Sequence, residues 1–577
     1  MKKTTIIVLA FILGILQSCK KEYALPELTA PVSNTVEVNS DIDLSFAFSA
    51  EGGYLSSSFV ATGGSASIKT APSAGSVSGT IIVTFTAGSV SGAGSVLLTI
   101  TDKDNQTHSA TAVLTIFEEG APQLTNPANS EVTVKQAIDI TFPFTAEGGY
   151  KSSVLTASGG TALIKTDATP GATSGDIVVS FTADRTVGAG SVTLQLTDNN
   201  NKSGQGTAVI TIKAFPAISV TANITEDTTW ESGNIYILEG RITVVSGVTL
   251  TVEPGVIIKG REGSEANATA LLVARGGKLI AEGNASSPII FTSVADQILP
   301  GEIISPNLEP NISGLWGGLL ILGEAPISAE ASAMQIEGIP ASDLNGLYGG
   351  SDAASNSGVL KYISIRHGGA NIGEGNEING LTLGGVGTGT VIENIEIVAN
   401  DDDGVEFFGG TVNVKNVIVL NTGDDAIDTD QSWSGTLDNF LVINPGDECM
   451  ELDGPEGILA SKHTIKNGTC YADDAQGLVD LDDDNLSSDS WVDLENIYFT
   501  GLKTGQDFDA VPDYYTCSFS NMEATIPDGT SLADFFKAGS DVFVTAVPEG
   551  SNTVGSNMDV FTGWTWSSLS GILNELF

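Results

Sequence analysis

The chain has 577 residues, with 70 Asp+Glu against 24 Lys+Arg and a formal net charge of −46. That balance excludes a nucleic-acid partner, whose phosphates call for Lys and Arg. With 16% of residues charged and 41% hydrophobic, it is not an acidic disordered tail either, and short Val/Ile/Leu/Thr runs broken by Gly, Asn and Asp predict an all-β body.

Lys2 and Lys3 precede an apolar run from Ile6 to Leu16, too short to span a bilayer and suited to a secretory signal. The run ends in Leu16-Gln17-Ser18-Cys19, which resembles the lipobox of bacterial lipoproteins. The resemblance implies that residues 1–18 are removed and that Cys19 is lipidated. Lys20-Lys21-Glu22 is similar to the charged start of Bacteroidota lipoproteins, which implies an outer-membrane lipoprotein exposed at the cell surface. Residues 19–29 then form a tether. Cys449, Cys470 and Cys517 remain; the coil register puts Cys449 and Cys470 at different cross-section positions, so free packed thiols are expected.

A tandem duplication follows. Glu51-Gly52-Gly53-Tyr54 returns as Glu147-Gly148-Gly149-Tyr150, and Gly92-Ala93-Gly94-Ser95-Val96 returns as Gly188-Ala189-Gly190-Ser191-Val192, both at an offset of 96 (147 − 51 and 188 − 92). Alternating strands between Gly/Ser turns predict two Ig-like β-sandwich domains, at 30–120 and 121–216. They resemble the bacterial Ig-like and cadherin-like modules that lift a head off a cell surface. Asp102-Lys103-Asp104 reads as an Asx turn more readily than as a Ca²⁺ site, because its counterpart, Asp198-Asn199-Asn200, carries less charge.

From about residue 217 the rhythm becomes that of coils. Asn394, Asn416, Asn439, Asn467 and Asn496 recur at steps of 22, 23, 28 and 29 between apolar runs such as Val417-Ile418-Val419, the strand, asparagine bend, strand pattern of right-handed parallel β-helices. The expectation is a right-handed parallel β-helix over 217–525 with an internal asparagine ladder. Residues 526–577 should form a C-terminal cap, with Phe561 to Trp566 over the last coil.

After each ladder asparagine comes a group of carboxylates leading into another strand. If Val405, Ile427, Met450 and Val479 point inward, alternation turns Glu406, Asp428, Glu451 and Asp480 outward in one column, with Asp430, Asp453 and Asp482 beside it. Trp433 and Trp491 follow on the same side, placed to stack a sugar ring or to pack. Stacked carboxylates repel, and oxygen-only ligation suits Ca²⁺; Asp424, Asp425, Asp447 and Glu448 are the candidate ligands. A merely solvated acidic face is the competing account.

Asn400-Asp401-Asp402-Asp403-Gly404-Val405 and Asn421-Thr422-Gly423-Asp424-Asp425-Ala426-Ile427 resemble two catalytic coils of the polygalacturonase family. The resemblance implies Asp402 or Asp403 as a base with Asp425, and Asp424 as the acid. Gly446-Asp447-Glu448 stands where that family has Gly-His-Gly, no Arg-Ile-Lys clamp follows, and an anionic galacturonan would meet like charge. Residues 218 to 577 are similar overall to uncharacterised Bacteroidota β-helix lipoproteins that repeat the pattern of Asp402-Asp403-Gly404-Val405-Glu406-Phe407-Phe408-Gly409-Gly410. His367 sits one coil from Asp401 and reads as a hydrogen-bonded loop histidine.

The function expected is Ca²⁺-assisted adhesion: Glu406, Asp428, Asp430, Trp433, Glu451, Asp453, Asp480 and Asp482 would bind an extracellular glycan or a surface protein. The alternatives are a polysaccharide hydrolase or lyase on the same face, and a structural part of an outer-membrane complex.

Overall fold

A computed structural model describes residues 23–118, 120–264, 267–371, 378–482, 488–508 and 516–577. Cys19 and the apolar run from Ile6 to Leu16 lie outside the described residues. Among those described, no helix is long and apolar enough to cross a membrane. The chain divides into two compact units, residues 1–215 and 216–577.

The first unit holds two Ig-like β-sandwiches of the same topology. In the first, strands Glu27–Thr29, Asp41–Ser49, Ser78–Ala87 and Gly64–Thr70 make one sheet, and Asn34–Glu37, Thr107–Phe117, Gly92–Asp102 and Tyr54–Thr62 make the other. Strands Asp41–Ser49 and Gly92–Asp102 return as Ala137–Thr145 and Gly188–Asp198, again 96 residues on. Residues 27–29, assigned to the tether from sequence, already pair with Ala47–Ser49. Leu44, Phe46, Val83, Phe85, Val96 and Leu98 alternate into a shared core because side chains along a strand alternate between faces. Asp102 Oδ1 accepts the backbone N–H groups of Asp104 (2.9 Å) and Gln106 (2.8 Å), the Asx-turn geometry.

The second unit is a parallel β-helix. One sheet carries strands from Ala217–Val220 to Val544–Ala546, and a second runs from Ile242–Val244 through Leu381–Gly384, Val405–Phe408, Ile427–Asp430 and Glu451–Leu452 to Asp480–Leu481. The rungs continue past residue 525, since Met522–Ala524 pairs in parallel with Val544–Ala546. Ile397, Val419, Val442, Cys470 and Phe499 stack in register inside the coil.

The bend asparagines form the expected ladder, with one addition and one interruption. Asn416 donates to Asn394, Asn439 to Asn416, and Asn496 to Asn467, each at 2.9 Å, and Asn521 extends the series at 3.1 Å. All five sequence-selected asparagines have φ of +58 to +66°, a region asparagine tolerates better than most residues. Between Asn439 and Asn467 the ladder is interrupted: Asn467 donates to Asp438 Oδ1 at 2.7 Å, while Asn439 Oδ1 accepts Asn557 N–H at 2.6 Å.

Beside the ladder runs a column of alternating charge. Glu282, Lys361, Glu393, Lys415, Asp438, Lys466 and Glu495 are successive register partners.

Two sequence expectations are corrected here. Phe535 and Phe536 cap the last coil, with Phe536 5.5 Å from Phe499 and 5.9 Å from Phe508. The Phe561 to Trp566 segment instead folds back onto the flank of the middle coils, covering Val398, Ile418, Leu420, Leu441 and Ile443. These side chains point outward from their strands and are apolar, so they need a cover. The fold-back is locked by Glu396, which is fully buried and accepts from Ser364 Oγ (2.6 Å), Trp566 N (3.0 Å), Ser567 N (3.0 Å) and Ser567 Oγ (3.0 Å). Arg366 Nη2 lies 3.6 Å from the same carboxylate, and its guanidinium sits over Trp566 at 5.0 Å. The cysteines are the second correction: Cys449 and Cys470 are free and buried as expected, but their thiols adjoin in the core, where the Cys470 contact and burial push the Cys449 thiol up.

Candidate functional site

The acidic face is built on one outer sheet surface whose character changes along its length. Upstream it is apolar: Leu272, Leu320, Leu322 and Phe408 pack under Ile327, Ile336, Ile339 and Tyr348. Those last four belong to the excursion between residues 323 and 357, which leaves the coil between the strands Leu319–Leu322 and Gly358–Arg366. Downstream the same face becomes carboxylate.

The register places both expected columns. Thr382, Glu406, Asp428, Glu451 and Asp480 are successive partners, while Val405, Ile427, Met450 and Val479 lie in the core. Phe408 pairs with Asp430, and Asp453 and Asp482 continue that second column, each pressing on the other's charge. The columns are not a solvated wall, however. Glu406 is 5% exposed and Asp428 8%, because the excursion closes over them: Tyr348 Oη donates to Gln431 at 3.1 Å, and Asn379 Nδ2 bridges Glu337 (3.2 Å) and Glu406.

One oxygen from each of Asp403, Glu406 and Asp428 lies within 4.8 Å of the others, all three residues buried; Asp402, Asp403 and Asp424 make a second such group toward solvent. At 4.8 Å and an effective dielectric of ~20, each ionised pair costs about 3 kcal/mol. Among the described residues no ion pair engages Asp403, Glu406 or Asp428. Asp428 Oδ1 and Asn379 Oδ1 are buried acceptors without a hydrogen-bond partner. Burial first, then the neighbouring carboxylates, hold Asp403, Glu406 and Asp428 well above the usual carboxylate range. Burial likewise pushes Asp430 up to about 7, Glu448 to about 8 and Asp453 to about 8.

The candidate metal ligands are redistributed. Asp424 joins Asp402 and Asp403, whereas Asp447 and Glu448 press on one another. Asp425 turns inward: burial and the neighbouring Glu451 side chain push it up to about 11. Among the candidate acid and base residues, two are engaged by the stacking of coils. Asp403 Oδ1 accepts Asp425 N–H at 2.9 Å, and Asp425 Oδ1 accepts Glu448 N–H at 2.6 Å, one coil further on. Asp402 is half-buried and Asp424 exposed.

Trp433 is a core residue and not part of a ligand groove. It is fully buried, stacks on Phe407 at 3.9 Å, and donates its indole N–H to Val412 O at 3.0 Å. Gln431 and Ser432, both at φ +54°, turn the chain inward just before it. His367 is a fully buried histidine whose Nδ1 lies 2.5 Å from Ile312 O, as the loop reading expected.

Asn379 was missed. Ile378-Asn379-Gly380-Leu381 has the spacing of Asp402-Asp403-Gly404-Val405, and Leu381 pairs with Val405, so aligning the coils would have placed Asn379 on the Asp403 rung.

A family model described as a pectate-lyase-like β-helix domain matches residues 222–526. No curated protein matches the chain. Solved structures similar to the chain include the sialic-acid-binding region of a Streptococcus sanguinis adhesin (8% identity, 36% of this chain and 83% of that one, TM-score 0.15). The tandem Ig repeats of Dlar (14%, 33% and 98%, 0.14) and the D0-D1 domain of intimin (12%, 32% and 97%, 0.22) are others.

Proposed function

The chain belongs to the pectate-lyase-like β-helix family, and from that premise we propose that its β-helix is a Ca²⁺-assisted binding module for an extracellular glycan, displayed on the outer membrane through a lipid on Cys19. The observation that carries the cation is the convergence of Asp403, Glu406 and Asp428 within 4.8 Å, with Asp428 Oδ1 buried and unpartnered. Oxygens this far apart suit a Ca²⁺ held at 2.3–2.6 Å from each, and carboxylate and amide oxygens are the donors a hard cation takes. Asp402 and Asp424 stand at the solvent edge of the adjoining group, where a second cation would present open positions to sugar hydroxyls. Binding is favoured over hydrolysis because Asp403 and Asp425 already accept backbone amides of the following coil.

The test is thermal. Chelation should lower the melting temperature and added Ca²⁺ restore it, since a ligand bound only by the folded state stabilises by RT ln(1 + [L]/Kd). Asp428→Asn should abolish the response. Melting curves indifferent to chelator, together with sugar release from a polysaccharide that vanishes in Asp424→Asn, would replace this reading with an enzyme. For the anchor, Cys19→Ala should move the protein to the soluble fraction; membrane association that persists through a salt wash would refute it.

A further inference from the structure

A different face of the β-helix carries a groove unrelated to the carboxylate columns. It lies beside the asparagine ladder in two adjoining parts of about 360 and 420 Å³, both lined by Lys415 and Asp438. Glu393 and Thr436 belong to one part, Asn416 and Asn467 to the other, and the C-terminal fold-back supplies a wall at Gly555, Asn557 and Val560. Each part falls within the usual size of a small-molecule site.

The chemistry of the groove is specific. Lys415 is exposed and stands in register between Glu393 and Asp438, yet it makes no ion pair within 4.0 Å of either among the described residues. In a chain of net charge −46, a cation left without a partner beside two carboxylates is a donor available to a ligand. The ladder adds more donors, because each asparagine amide nitrogen carries two hydrogens and the ladder uses one from Asn416 and one toward Asp438 from Asn467. Successive coils bring these groups past at steps of about 4.8 Å, so the groove offers alternating donors and acceptors at regular spacing, as solenoid binding surfaces do. One Lys against Glu393 and Asp438 leaves it slightly negative, which disfavours a polyanion, and among the described residues no aromatic side chain lines it. A ligand with many hydroxyls, no net charge and a short repeat matches this lining.

We propose that this groove is a second ligand site, taking a neutral oligosaccharide without the help of a cation. The inference rests on the reading of the protein as a glycan binder, and it moves part of that binding away from the acidic face. It gives the fold-back a role beyond covering apolar surface, as one wall of the site.

The experiment is titration of the full-length protein with neutral gluco-, manno- and xylo-oligosaccharides and with an acidic polysaccharide, each in EDTA and in Ca²⁺. Wild type is compared with Lys415→Ala, Thr436→Arg (which fills the groove) and Asp424→Asn, all confirmed as folded by melting. The expected result is neutral-oligosaccharide binding that survives EDTA and Asp424→Asn, weakens about tenfold in Lys415→Ala through loss of a charged donor, and disappears in Thr436→Arg. Binding that requires Ca²⁺, fails in Asp424→Asn and is unchanged in Lys415→Ala and Thr436→Arg would overturn the groove and leave the acidic-face reading standing. No binding of any neutral oligosaccharide also overturns the groove, and the acidic polysaccharide then decides the fate of the broader reading.

Discussion

Removing the Glu396 carboxylate should detach the C-terminal fold-back. In Glu396→Ala the buried Arg366 loses its counter-ion, and the Trp566 N–H, Ser567 N–H and Ser567 hydroxyl lose their acceptor. Breaking a fully buried ion pair by deleting one partner costs about 3–5 kcal/mol, and a buried donor left unsatisfied adds about 1–3 kcal/mol. These costs do not simply add, because the segment can escape them by undocking and hydrating its amides. The undocked state then exposes Phe561, Trp564 and Trp566, which are buried in the docked one. We therefore expect a loss of about 3 kcal/mol or more in denaturant unfolding, with a separate early transition reported by tryptophan fluorescence, and new protease cleavage within residues 555–577. Glu396→Ala/Arg366→Met should recover part of the loss, since it removes the stranded charge. Glu396→Ala with stability within 1 kcal/mol of wild type and an equally protected C-terminus would refute the assignment of Glu396 as the lock.

Asn416→Ala should cost about 3–4 kcal/mol: two ladder hydrogen bonds at about 1 kcal/mol each, and about 1–2 kcal/mol for holding alanine, which lacks asparagine's tolerance of the left-handed region, at φ +58°. Asn416→Gly, which removes the second term, should be milder in urea unfolding, and equal losses for the two variants would contradict the bend argument. His463, 1% exposed and beside Trp433, is lowered to about 3 by burial. Its unfolded counterpart takes up a proton below about pH 6.5, so its contribution is complete above that pH and declines as pH falls toward 3, by up to about 1.4 kcal/mol per unit. The buried carboxylates, with raised values, run the other way, losing stability as pH rises from about 4 toward 8. The difference in unfolding free energy between wild type and His463→Phe isolates the histidine, and a difference that stays constant from pH 7 to pH 4 would exclude this account.

The sequence was most informative where one residue type meets one backbone requirement. The asparagine steps located the bends because a positive φ and a stackable amide are both needed there, and the alternation around Val405 and Ile427 fixed which carboxylates share a column. Burial of those columns was not legible, since it comes from Glu337 and Tyr348 in an excursion outside the repeat, through Asn379 and Gln431. Trp433 misled because it was carried onto the side of the acidic strand it follows, whereas the paired left-handed residues Gln431 and Ser432 turn the chain there and Trp433 packs in the core. The fold-back joins residues 170 and 171 positions apart in the chain, and no local pattern near Trp566 announces Glu396 as its partner.

The column Glu282, Lys361, Glu393, Lys415, Asp438, Lys466, Glu495 has a consequence for how such a domain can change length. Every inner coil there meets opposite charge above and below, so excising one of them, or duplicating one, would set like against like at the new junction, which is unfavourable for directly opposed side chains. Excising or duplicating two adjacent coils leaves the alternation intact. The column thus acts as a parity rule on the solenoid, under which this part of the β-helix grows and shrinks by pairs of coils.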